Sequence, residues 1–83
     1  MRADFNIFPN GMTESRIQNP EELGARIRRR RTDLRLTQEE LAAVSMVTPR
    51  LLGEVERGKK TTQLDGLLRI LAALGLDLYL QKR

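Results

Sequence analysis

Apolar residues recur at helical spacing in four stretches of the chain, and near the end they switch to alternation. In the first stretch Leu23, Ile27, Arg31 and Leu34 fall on one face of a helix. Asn19 stands where a cap is needed, Pro20 suits the first helical position, and Glu22 completes an Asn-x-x-Glu variant of the capping box. The second stretch opens on Thr37-Gln38-Glu39-Glu40, a full capping box, and predicts burial of Leu41, Ala42 and Val44. The third has Thr48 as cap and Pro49 at the first position, turns Leu52 and Val55 inward, and stops at Gly58. The fourth runs from about Gln63 to Leu74 and ends at Gly75. Its Leu64, Leu67, Leu68, Leu71 and Leu74 form a wide leucine face that predicts the middle of the core.

The tail reads differently. In "LDLYL", Leu76, Leu78 and Leu80 alternate with Asp77 and Tyr79, a period of two, which predicts a strand. A lone strand leaves its own backbone groups unpaired, and the chain offers no convincing second one. Residues 1–18 show no sustained period and contain the turn signal Pro9-Asn10-Gly11. They read as an arm, with Phe5, Ile7 and Phe8 as possible anchors and Met12 as an alternative natural start. Three parts result: an arm over 1–18, a helical domain over 19–75, and a strand and tail over 76–83.

One position on the first helix stands out. An arginine on an apolar stripe requires a partner, because an unpaired buried charge is too costly to keep. Arg31 therefore predicts an acidic partner elsewhere, whereas Arg28, Arg29 and Arg30 lie on other faces and read as solvated.

Composition narrows the chemistry. At 83 residues the chain has room for one small domain with a modest core. With no cysteine and no histidine, thiolate and imidazole ligands are absent, so a metal site is not expected. The commonest general base is missing too, which argues against an enzyme, and nothing points to a cofactor. Arg2 and Arg16 cancel Asp4 and Glu14, so the whole net charge of +4 lies in residues 19–83. A small basic domain favours a polyanionic partner such as nucleic acid, with simple solvation of helices as the alternative. No apolar run reaches the roughly 20 residues that span a membrane. With no signal-peptide pattern either, the expected location is the cytoplasm.

The second and third helices are separated by a break of about four residues, which reads as a helix-turn-helix. The run "LGARIRRRRTDLRLTQEELA…VTPRLLGEVERGKK…LLRILAALGLDL" resembles the Xre/Cro-type regulators of bacteria and phages, over residues 23–77. The resemblance implies an all-α, lambda-repressor-like four-helix domain that binds DNA. It implies that Gln38, at the start of the second helix, bonds a DNA phosphate and braces the recognition helix, with a plain first-turn helix former as the alternative. An anion is favoured there by orphan amides and the helix dipole. It further implies that Arg31 and Glu56 form a buried structural ion pair, supplying the partner that Arg31 demands.

The recognition surface then falls on Thr48, Pro49, Arg50, Gly53 and Glu54. Arg50 is the candidate for direct readout, since its fork matches guanine O6 and N7. Pro49 is limited to apolar contact. Glu54 either accepts from cytosine N4 or holds Arg50 or Arg57. Lys59, Lys60 and Thr61 follow the helix, facing backbone phosphates or forming only a solvated turn. The resemblance also shows departures: relatives often carry glycine where Met46 and Arg35 stand, a left-handed conformation at Met46 would cost about 1 kcal/mol, and both changes bear on the turn geometry.

The tail resembles that of HipB-type antitoxins, in which a short C-terminal strand pairs with its copy in a second subunit. That implies a homodimer built on Leu76, Leu78, Tyr79 and Leu80, an inverted-repeat operator in double-stranded DNA, and a HipA-type kinase toxin as partner. The reading is a repressor and antitoxin that represses its own operon. A phage-type or stand-alone repressor without a toxin, and a protein-interaction module, stay open beside it.

Overall fold

The computed structural model describes residues 16–82, and the expectations for residues 1–15 lie outside the described residues. Helices begin where the sequence supplies caps. Helix α1 covers Pro20–Asp33, α2 Gln38–Ser45, α3 Pro49–Glu56 and α4 Leu64–Ala73. The Asn19 side chain accepts from the Glu22 amide, while the Glu22 carboxylate reaches back to the Gln18 amide, one residue beyond the usual box. Thr37 and Glu40 form the reciprocal box of α2, and Thr48 accepts from the Leu51 amide at the start of α3. Gln63 precedes α4 without a side-chain cap.

The core is formed by Ile27 of α1, Leu41 and Ala42 of α2, Leu52 and Val55 of α3, and Ile70, Leu71 and Leu74 from α4 and its end. Burying one such side chain contributes about 1.5–3 kcal/mol, so this set carries most of the stabilisation of a small domain. Helix α2 packs on both α3 and α4, and α1 packs on α3.

Close packing of α1 against α3 depends on Gly24. A Cβ built there would lie 2.3 Å from the Val55 carbonyl oxygen and 2.8 Å from that of Glu56.

Several expected core positions are corrected. Val44 is exposed because the inward arc of α2 runs through Leu41, Ala42 and Ser45, leaving position 44 on the far flank. Leu64 and Leu68 are exposed as well: α4 is rolled so that Ile70, Leu71 and Leu74 face inward, with Leu67 at the margin. Leu34 lies beyond the last turn of α1, where helical spacing no longer applies, and the half-buried Leu36 packs in its place. Arg30 is not merely solvated. Its Nε donates to the Leu74 carbonyl at 2.9 Å, satisfying a free carbonyl at the end of α4.

Arg35 and Met46 have φ of 61° and 59°, so the left-handed conformation considered for Met46 is present there and at Arg35 as well. Met46 ends α2 while its side chain is largely exposed, so glycine would lose little packing there. Met46→Gly is expected to raise stability by about 1 kcal/mol, through relief of the Cβ clash. Urea unfolding measures this; a lower midpoint would show that Met46 contributes packing which its exposure hides.

The chain beyond Gly75 has no strand among the described residues. Leu76 packs against the core, whereas Leu78, Tyr79 and Leu80 are exposed.

Candidate nucleic-acid interface

With Leu52 and Val55 turned into the core, α3 leaves Arg50 and Arg57 exposed on its other side. The Arg50 side chain is 88% exposed, and Thr48 and Pro49 are exposed at the same end of the helix. Glu54 lies between two cations: its carboxylate accepts from Arg50 Nε at 3.4 Å and from Lys59 Nζ at 3.3 Å. The Lys59 hydrogen bond, helped by the Lys59 charge and by Arg50, holds the Glu54 carboxyl below the ordinary carboxylate range against the opposing effect of desolvation. Glu54 is therefore an anion at neutral pH. Of the roles open to it from the sequence, this structure has it holding Arg50, with Lys59 rather than Arg57 as its second partner.

Gly53 lies on the same face, between Arg50 and Arg57, but is covered by the Arg57 and Gln38 side chains. It is buried, and a Cβ there would meet Arg57 Nη1 at 3.1 Å and Gln38 Oε1 at 3.9 Å. The missing side chain lets the Arg57 guanidinium and the Gln38 amide lie close over α3. Arg57 was not among the expected surface residues, although it sits seven positions after Arg50 on the same face.

Two flanks of α3 now differ. On one, Gln38 Nε2 donates to Glu56 Oε1 at 2.9 Å, tying the first residue of α2 to the last residue of α3. The same carboxylate takes a fork from Arg31, with Nε to Oε2 at 2.6 Å and Nη2 to Oε1 at 3.0 Å. Arg31 Nη1 also donates to the Leu36 carbonyl at 2.8 Å. The Glu56 hydrogen bond raises the Arg31 pKa above its already high ordinary value, so the guanidinium is permanently charged.

On the other flank lies an open groove of about 830 Å³. Thr48, Arg50, Glu54, Lys59 and Thr61 line it, together with Thr62, Gln63 and Arg69. Arg69 is already paired with Asp65, which leaves Arg50 and Lys59 against the one Glu54 carboxylate, among hydroxyl and amide groups, an arrangement that suits a hydrogen-bonding anion. Five of the sequence-nominated residues converge here, and Gln38 stands across α3 from them. Lys60 is exposed but lines a separate apolar hollow with Ile17, Leu23 and Leu67. Among the described residues no group of acidic side chains is arranged to hold a metal ion, and no helix is long and apolar enough to cross a membrane.

The sequence profile of the helix-turn-helix family matches residues 27–81. The chain belongs to the Xre-type helix-turn-helix regulators. A regulator of this family is a DNA-binding protein of transcription and not an enzyme. An uncharacterized HTH-type transcriptional regulator of Sinorhizobium fredii, y4mF, is 38% identical over 63 residues, which cover 76% of this regulator and 83% of the relative. Among solved structures, a HipA-HipB-O2-O3 complex contains a chain similar to this regulator with a TM-score of 0.76 at 25% identity, over 83% of this chain and 97% of that one. The restriction-modification controller protein C.AhdI from Aeromonas hydrophila is similar with a TM-score of 0.64 at 34% identity, over 70% and 88%.

Proposed function

We propose that this helix-turn-helix regulator is a homodimeric repressor that reads an inverted-repeat operator with α3 and serves as the antitoxin of a HipBA-like operon. Arg50 carries the reading. Its side chain is highly exposed on α3, paired with Glu54, and lines the cationic groove. In the proposed complex α3 enters the major groove, where Arg50 bridges guanine O6 and N7. Gln38 and the α2 N-terminus take a phosphate on one side, and Lys59 and Thr61 take one on the other. Thr48 and Pro49 pack at the helix entry, while Glu54 aims Arg50. Lys60 follows the backbone farther out.

Arg50→Ala is expected to lower operator affinity by about 1–3 kcal/mol and to relax preference at one base pair per half-site. Lys59→Ala should instead weaken binding to all duplexes and reduce the salt slope by about 0.9. Selection from a random duplex pool measures both. An unchanged base profile in Arg50→Ala overturns the readout assignment.

Dimerisation is proposed from the apolar surface left uncovered by one chain. Leu64 and Leu68 on α4, and Leu78, Tyr79 and Leu80 in the tail, are all exposed. An antiparallel ribbon of two tails would pair the backbone groups of residues 76–81 and bring leucines together across the two-fold axis. Because Leu76 packs on the core, the suitable truncation removes only residues 77–83. Sedimentation should then show a monomer or a weakened dimer; an equally tight dimer would place the interface on the helices. A HipA-type kinase partner rests on likeness to the HipA-HipB-O2-O3 complex. Likeness to C.AhdI supports the second reading, a stand-alone regulator without a toxin. Co-purification with the product of an adjacent kinase-like reading frame separates the two.

A further inference from the structure

The turn between α2 and α3 is held from outside by a residue of α4. Helix α2 has no basic residue in its own last turn, so its final carbonyls lack a local cation. Arg69 supplies one. Its Nε donates to the Ser45 carbonyl at 2.9 Å and its Nη2 to the Met46 carbonyl at 3.3 Å, while Nη1 is fixed by the Asp65 carboxylate at 2.9 Å. Ser45 is the last residue of α2, and Met46 is the left-handed residue that follows it. Only Val47 and Thr48 then separate Met46 from the start of α3. A shift at Met46 would be carried straight into the direction of α3.

We propose that Arg69 is a positioning residue for sequence readout, setting the direction of the recognition helix through the α2–α3 turn without itself contacting DNA. Three observations carry this. The guanidinium spends all three nitrogens on protein acceptors, two of them in the turn. The turn contains a strained left-handed methionine, a conformation that needs outside support. Asp65 also offsets the Arg69 charge, which makes it a poor phosphate clamp beside Arg50 and Lys59. The inference rests on the reading of α3 as the base-reading helix.

The test uses the full chain and the duplex that the wild-type protein enriches from a random pool, compared with a scrambled duplex of the same composition. Arg69→Met removes the fork, and Arg69→Lys keeps the charge with a single donor nitrogen. Both are assayed well below their unfolding temperatures. For Arg69→Met the ratio of enriched to scrambled affinity should fall about tenfold, with the scrambled affinity and the salt slope unchanged. Arg69→Lys should recover part of that ratio. Without DNA, hydrogen exchange at the Met46 and Val47 amides should speed up in Arg69→Met, while exchange at the Leu41 and Leu52 amides does not.

A salt slope reduced by about 0.9 would make Arg69 a phosphate contact and overturn the proposal. So would an unchanged affinity ratio, or exchange that rises uniformly over the domain, which marks a general structural role. If Arg69→Met does not fold, the same readings on Arg69→Lys decide. A wild-type protein that enriches no sequence overturns the DNA-reading function together with this inference, an outcome distinct from one in which wild type is selective and the variants equally so.

Discussion

Gly24→Ala is expected to destabilise the domain by about 2 kcal/mol or more, although alanine is the better helix former. In an exposed helix interior the change would gain roughly 1 kcal/mol. Here the added methyl would stand 2.3 Å from the Val55 carbonyl oxygen and 2.8 Å from that of Glu56. Both obstacles are backbone atoms, so no side chain can swing away to make room. Helix α1 must move off α3, disturbing the contact of Ile27 with the core and the span of the Arg31–Glu56 pair. Overpacking of this kind typically costs about 1–3 kcal/mol and sometimes more, and a rigid backbone contact belongs at the upper end. Against a total of roughly 5–15 kcal/mol for a folded domain, the loss is large. Equilibrium urea unfolding measures it directly. A midpoint equal to or above wild type would mean that α1 and α3 approach each other less closely than Gly24 allows.

Gly24 also shows where sequence reading stops. Helix starts were legible because caps are local: Asn19, Thr37 and Thr48 each satisfy an amide three residues on. The strained turn at Met46 was legible through the resemblance alone, and Arg35 shares its positive φ. Arg31 announced a partner by standing on an apolar stripe. What depends on how helices cross was not legible. The roll of α4, which buries Ile70 and exposes Leu64 and Leu68, follows from α2 and not from the leucine spacing. Arg30 read as a surface charge and Arg69 drew no reading, yet each reaches a helix end more than 20 residues away in sequence. In the candidate interface Arg50, Glu54 and Lys59 could be nominated by position on a helix and its following turn. The burial of Gly53 under Arg57 could not, because it requires knowing where a long side chain folds back.

Arg31→Met should be the most damaging single change to charge in the domain, lowering stability by about 3–5 kcal/mol. Methionine fits the stripe between Ile27 and the end of α1, so the loss does not come from the apolar stem. It comes from Glu56, whose side chain is only 3% exposed. Without Arg31 that carboxylate keeps the Gln38 amide alone, too little to hold a buried anion. The Leu36 carbonyl loses its donor as well. Removing both charges should therefore recover much of the loss: Arg31→Met with Glu56→Leu leaves no buried ion. Recovery should remain incomplete, because the Leu36 carbonyl and the Gln38 amide still lose partners, at about 1–3 kcal/mol for each group that water cannot reach. Arg31→Lys should fall between the single variant and wild type, since an ammonium keeps the charge but cannot span both Glu56 oxygens and Leu36. Glu56 and Gln38 also fasten the end of α3 to α2, so operator affinity in the double variant should fall further than its stability accounts for. Denaturant unfolding of the three variants beside wild type measures the series. Equal midpoints for wild type and Arg31→Met would show that the pair contributes nothing, and a double variant no better than the single would show that the buried Glu56 charge is not the source of the loss.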